Sequence, residues 1–140
     1  MGRRKKNSAD VRKESMKAVY VAKLMNNPTS PRKTRLVADM IRGVDVENAL
    51  AILQFCPRES APKMRKLLMS AVANWQAKNP GASIEDSNLY VKTVMVDEGR
   101  TLRRMMTAPQ GRGYRIRKRS NHVTIMLESR GKQHSVDGAK

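Results

Sequence analysis

The stretch VDEGRTLRRMMTAPQGRGYRIRKRSNHVTIML, residues 96–127, dictates the architecture of this chain. It ends in the run NHVTIML at 121–127, and the run LYVKTVMV at 89–96 leads into it; the β-branched content of both predicts strands. Between them Pro109, Gly111 and Gly113 mark a reversal of the backbone. A reversal there makes the two strands the arms of one hairpin over 97–120, far longer than the usual connection of about two to five residues. Eight cations, Arg100, Arg103, Arg104, Arg112, Arg115, Arg117, Lys118 and Arg119, fall in this segment, and no acidic residue occurs from Gly99 through Leu127. With so few apolar residues near its tip, such an arm needs an external anionic surface to order it.

The rest of the chain supports that expectation. Its 140 residues carry 29 Lys and Arg against 12 Asp and Glu, a net charge of +17. A body this small repels itself unless a polyanion neutralises it, which points to nucleic acid or an anionic membrane surface. The charge is unevenly placed: residues 1–42 contribute +9, residues 43–99 contribute −1 and residues 100–140 contribute +9. No apolar run approaches the roughly 20 residues of a membrane-spanning helix. The basic start Arg3-Arg4-Lys5-Lys6 is followed by polar and charged residues where an export signal needs an apolar stretch. The single cysteine, Cys56, rules out an internal disulfide and a multi-thiolate metal site, and suits a reducing cytoplasm.

Working outward, KAVYVAKLMN at 17–26 predicts the first strand, with Tyr20, Ala22 and Leu24 on one face. Ser30-Pro31 predicts a side-chain N-cap followed by proline in the first helical turn. That helix runs to about Arg42 with Leu36, Val37, Met40 and Ile41 as its apolar face, and Gly43 sits where a left-handed C-cap belongs. Asp45 can cap a second helix, VENALAILQF, which ends near Cys56-Pro57. The third helix has an unbroken stripe, Met64, Leu67, Leu68, Ala71, Val72 and Trp75, and Pro62 argues for a start near Ser60. Lys78 to Asn88, containing Pro80-Gly81, is a loop. The expected fold is therefore α+β, with three helices packed on a small three-stranded antiparallel sheet and a long extended β-hairpin. Residues 17–128 form one domain, 1–16 a basic N-terminal arm in which Ser8 to Met16 can turn into a short helix, and 129–140 a tail containing His134.

In the hairpin, arginine outnumbers lysine seven to one, as suits bidentate phosphate contacts, and Tyr114 can stack on an exposed base. Arg32, Lys33 and Arg35, in the opening turns of the first helix, form a second candidate phosphate site; an ordinary solvated face is the competing reading. Arg3, Arg4, Lys5 and Lys6 are either a nucleic-acid-ordered arm or a charged tail. His122 can contact a phosphate or make a hydrogen bond at a strand edge. Catalytic signals are weak. Asp97 and Glu98 are neighbours on a strand and point to opposite faces. Two scattered histidines and one cysteine make neither a metal set nor a nucleophile–base pair, so no enzyme and no cofactor is expected.

Three ordered blocks resemble one family. SPRKTRLVADMIRG at 30–43, SAVANW at 70–75 and the 96–127 block together resemble the bacterial large-subunit ribosomal proteins numbered twenty-two, over about residues 18–128. That resemblance implies a cytoplasmic, ribosome-bound structural protein that holds large-subunit ribosomal RNA and supports assembly. It implies a hairpin reaching into the peptide exit tunnel near the large-subunit protein numbered four. By position, Leu102-Arg103-Arg104 match the basic triplet of the incoming arm. Ala108, Pro109, Gln110, Gly111, Arg112 and Gly113 match the tip that a nascent peptide passes. No homo-oligomer is expected. The competing class is a free RNA or DNA chaperone that uses the same hairpin outside a ribosome; an RNA-modifying enzyme would need a constellation that is missing.

Overall fold

Burial centres on the apolar stripe at 64–75. In the computed structural model, which describes residues 3–17, 19–80 and 87–130, Met64, Leu67, Leu68, Ala71 and Trp75 are buried along one helix, with Val72 half-buried beside them. The elements run α1 (Arg3–Lys17), β1 (Tyr20–Asn27), α2 (Pro31–Ile41), α3 (Val46–Phe55), α4 (Ser60–Lys78), β2 (Leu89–Glu98), β3 (Leu102–Thr107), β4 (Gly113–Lys118) and β5 (Asn121–Ser129). The fold is α+β as expected, but with four helices among the described residues instead of three. The segment 3–17 lacks glycine and proline and is rich in helix formers. It has no apolar stripe, so periodicity could not announce it. The predicted tail falls largely on 131–140, and the loop's centre on 81–86, both outside the described residues.

The core sheet has the order β1-β5-β2, antiparallel throughout. Val123, Ile125 and Leu127 of the central strand are buried and face the helices, with Ala22, Val91, Val94 and Val96 on the flanking strands. In α2 the buried face is Thr34, Val37, Ala38 and Ile41. Leu36 and Met40, expected inside, are 53% and 43% exposed, because the 34/37/38/41 row is the one that meets α3, α4 and β2. Ser30 and Asp45 stand at the helix starts as expected, yet neither makes a side-chain cap bond. Pro31 opens α2, and Gly43, at φ +76°, adopts the left-handed conformation expected of it.

Arginines stitch α2 to the edge of β2. Arg35 donates through Nε and Nη2 to the Val96 carbonyl at 3.3 and 3.1 Å, and Arg42 donates to the Val94 carbonyl at 3.2 Å. Both carbonyls would otherwise be open acceptors on an edge strand. The end of the sheet remote from the hairpin is held by a second cluster. Glu128 accepts from the Tyr90 hydroxyl and, at 2.7 Å, from Lys92. Arg130 lies 4.7 Å over the Tyr90 ring and 3.6 Å from Asp45, and donates to the Gly43 carbonyl. The bonds from Lys92 and then Tyr90 hold the Glu128 carboxyl below its ordinary value. The same carboxylate raises both partners above theirs.

Candidate nucleic-acid interface

The hairpin forms its own two-stranded sheet. β3 and β4 pair from Leu102↔Lys118 to Thr107↔Gly113, and each packs chiefly on the other rather than on the body. Directly opposed residues share a face, so the register sorts the side chains. Leu102, Arg104, Met106, Tyr114, Ile116 and Lys118 fall on one face; Arg103, Met105, Thr107, Gly113, Arg115 and Arg117 fall on the other. The first is largely apolar, with Lys118 at its base, Arg104 at its middle and no cation in the Met106–Tyr114 row below the tip. The second is arginine-rich and sets Arg103 directly opposite Arg117, a like-charge pair that destabilises an isolated ladder. All six residues of β3 are exposed, and Tyr114 is 65% exposed.

The tip is a single tight turn over Pro109–Gly111, closed by the Ala108 N–H donating to the Arg112 carbonyl at 2.8 Å. Gln110 and Gly111 both have positive φ, 64° and 72°. At Gly113 a Cβ would stand 2.8 Å from the terminal methyl of Met105. The missing side chain is what lets Met105 lie across the ladder just below the turn.

The hairpin leaves the body at a hinge. The ladder of the core sheet ends at Glu98↔Asn121 and resumes at Leu102↔Lys118. Across the gap the Gly99 N–H donates to the Ser120 carbonyl at 2.9 Å and the Ser120 hydroxyl to the Arg100 carbonyl at 2.6 Å. A Cβ on Gly99 would lie 2.7 Å from that hydroxyl. Arg119 sits 3.8 Å from Glu98, both side chains substantially exposed. His122 accepts the Asn26 N–H on Nδ1 at 3.0 Å, so one of its ring nitrogens belongs to the β1–β5 joint.

Beneath the hinge lies a buried polar network that the sequence did not reveal. Asn121 is fully buried and its amide nitrogen donates to the Thr29 carbonyl at 2.8 Å and to the Thr29 and Thr34 hydroxyls at 2.9 Å. Asn27 donates to the Thr29 hydroxyl at 2.7 Å and to the Asn121 carbonyl oxygen at 3.1 Å. Thr34 also meets the Ser60 hydroxyl at 3.2 Å. No buried side-chain polar atom among the described residues lacks a partner. The network ties the start of β5 to the β1–α2 turn and to the head of α4, making a rigid footing for the hinge.

The remaining predicted site residues are dispersed. Arg3, Arg4, Lys5 and Lys6 are exposed on the first turns of α1. Arg32 and Lys33 are exposed in the first turn of α2, whereas Arg35 is partly committed to the Val96 carbonyl. Cys56 ends α3, half-buried and unbridged. Two clefts meet at the β1–α2 turn. One, of about 790 Å³, is lined by Asn26, Pro28, Ser30 and the hairpin base with Arg100, Arg117, Lys118 and Arg119. The other, of about 490 Å³, is lined by Pro28, Thr29, Ser30, Lys33, Arg58, Glu59 and Ser60. Arg58 was missed from sequence because it is a lone cation after Pro57; only the fold brings it to this place. Among the described residues no group of three or more His, Cys, Asp and Glu is arranged to hold a metal ion, and no helix is long and apolar enough to cross a membrane.

Known proteins share this chain's pattern along most of its length. It is 57% identical to the large ribosomal subunit protein uL22 of Flavobacterium psychrophilum, over 92% of this chain and 94% of that one. The proteins of the same name from Bacteroides fragilis strain YCH46 and Porphyromonas gingivalis strain ATCC 33277 are 58% and 57% identical, over 93% and 92% of this chain and 95% and 96% of theirs. The family profile described as Ribosomal protein L22p/L17e matches residues 22–128, which include most of the core sheet and the whole hairpin, and the chain therefore belongs to that family.

Proposed function

We propose that this protein is a non-catalytic structural constituent of the large ribosomal subunit in the cytoplasm, where it binds large-subunit ribosomal RNA, supports assembly and lines the polypeptide exit tunnel with its hairpin. Membership of the family supports this reading. The observation in the molecule that carries it is the hairpin's arginine-rich face. Arg103 opposite Arg117, with Arg115 next along, costs stability in a free chain, a cost that phosphates lying against the face would offset. That face, with Arg100, Arg112 and Arg119 beyond the paired strands and Arg104 and Lys118 on the opposite face, is the RNA-anchoring part. Tyr114 is exposed for stacking on a base.

The tip from Ala108 to Gly113, with one cation in Arg112, is the part that meets the nascent peptide, and Leu102-Arg103-Arg104 form the arm leading to it. The large-subunit protein numbered four is the expected neighbour across the tunnel. On the body, Arg32 and Lys33, the free ring nitrogen of His122, the unused guanidinium nitrogen of Arg35 and the α1 cations Arg3, Arg4, Lys5 and Lys6 extend the RNA footprint. Residues 17–128 act as one domain, with 1–16 as a basic arm and 129–140 as a tail. Sedimentation of cell extracts through a salt-stable gradient tests the assignment: the protein is expected to travel with large subunits. A protein found wholly apart from them would instead be a free RNA or DNA chaperone.

A further inference from the structure

The two clefts beside the β1–α2 turn share Pro28 and Ser30 in their linings, so they adjoin across the turn and are taken together as one trough. Its charge is one-sided. Arg100, Arg117, Lys118 and Arg119 line the half under the hairpin; Lys33 and Arg58 line the half towards α4. The one carboxylate in the lining, Glu59, is 3.1 Å from Lys63. Ser30, Ser120 and the Asn26 side chain add hydroxyl and amide groups, and no aromatic ring lines either half. A lining of separated cations and small polar groups without a stacking platform suits a sugar–phosphate backbone and not splayed bases. The lining also comes from both sides of the hinge: Asn26, Pro28 and Ser30 belong to the body, Leu102, Arg117 and Lys118 to the hairpin sheet.

We infer that this trough seats one segment of RNA backbone along a path from Arg117–Arg119 over Pro28–Ser30 to Arg58, and that its occupant sets the angle of the hairpin to the body. The inference rests on the RNA-binding reading above and deepens it. It gives Arg58 a phosphate-binding role and makes the orientation of the hairpin depend on RNA held at its base. The buried Asn121–Thr29–Thr34 network underlies the β1–α2 turn, whereas the hairpin wall joins the body only across the Gly99–Ser120 gap.

The test uses the full chain and a 12-nucleotide homo-uridine RNA, read by fluorescence anisotropy across a salt series. K33E/R58E should bind at least tenfold more weakly, and its log–log salt slope should fall by about 1.4, as two lost single-strand phosphate contacts require. R65E/K66E makes the same charge change on exposed residues of α4 outside the trough and should lose much less. Thermal melts confirm that each variant is folded. Equal losses in the two pairs would mean diffuse attraction and overturn the trough. So would an unchanged K33E/R58E beside a weakened R103A/R115A, two hairpin arginines outside the trough lining, which would leave the hairpin's RNA binding intact. Polyglutamate bound as tightly, with the same dependence on Lys33 and Arg58, would make the trough a site for acidic protein and equally overturn it. For the angle, spin labels on F55C and T107C in a C56S background should give a distance distribution that narrows when RNA is added; an unchanged width refutes the coupling.

Discussion

Asn121 is the side chain on which the hairpin's footing turns. Fully buried, it supplies one amide to the Thr29 carbonyl and to two hydroxyls and accepts from Asn27, so three residues of β1, the β1–α2 turn and α2 depend on it. Replacing it with alanine leaves the Thr29 carbonyl and the Asn27 amide short of partners in a dry site. A buried polar group stripped of its bond costs about 1–3 kcal/mol. N121A is thus expected to lose about 2–4 kcal/mol in urea unfolding of the free chain, and a loss below about 0.5 kcal/mol would show that the network carries little stability. Glu128 contributes differently, through charge at an exposed site. Its carboxyl is held low by the Lys92 and Tyr90 bonds. A depressed carboxyl stabilises the fold above its unfolded value, near 4.5, and the contribution fades as pH falls through the folded value. The urea midpoint of E128Q should therefore lie below that of the native chain at neutral pH, and the gap should close below about pH 4. A gap that persisted unchanged to pH 2.5 would refute this. Lys92 and Tyr90 act in the opposite sense: each is raised, so each contribution is complete below the ordinary values of 10.5 and 10.0 and is lost only in stronger alkali.

At the scale of elements, the hairpin and the body are separable. Every residue of β3 is exposed and only Ile116 of β4 is half-buried, so the arm withdraws almost no apolar surface from water. Cutting out residues 101–118 and joining Arg100 to Arg119 through an Asn-Gly turn should leave the cooperative unfolding transition within about 1 kcal/mol of the native one. Calorimetry measures it, and loss of the transition would show the arm to be part of the core. The intervening hinge is more sensitive. G99A drives a methyl to within 2.7 Å of the Ser120 hydroxyl, which must abandon the Arg100 carbonyl, and amide exchange at Gly99 and Leu102 should rise at least tenfold; unchanged exchange would mean that the hinge absorbs the methyl. These elements differ in how far the sequence displayed them. Met64 to Trp75 repeated at helical spacing, and the 121–127 run was β-branched, so α4 and β5 were legible from local pattern alone. The hairpin was legible as a charge run bracketing Pro109 and Gly111. Helix α1 was only half visible because its sequence carries no apolar stripe. The face of α2 was misassigned at Leu36 and Met40, since choosing among adjacent apolar residues needs the neighbour they meet. The Asn27–Thr29–Asn121 network and Arg58 were invisible, because residues some ninety positions apart, or single cations, carry no pattern until the chain closes.

For the molecule as a whole, net charge sets the conditions under which the free protein is stable. Five ion pairs join described side chains, all of them substantially exposed on at least one partner, and such pairs are worth about 0–1 kcal/mol each. Against them stands the mutual repulsion of +17 charges on 140 residues, concentrated where Arg103 faces Arg117 and where Arg117, Lys118 and Arg119 crowd the hinge. Salt screens attraction and repulsion alike, so the sign of its effect reports which is larger. Repulsion dominates here: there are many more cations than carboxylates to pair them, and most hairpin arginines have no acidic neighbour among the described residues. The melting temperature of the RNA-free chain should accordingly rise between about 20 mM and 500 mM sodium chloride. The hairpin-deleted variant, with six fewer cations, should respond less steeply. A melting temperature that fell with salt, or a deletion that left the slope unchanged, would mean that the charge is already balanced within the fold. A rise confined to the full-length chain locates the unbalanced charge in the hairpin, and adding a polyanion at low salt should then reproduce the stabilisation that sodium chloride gives at high salt.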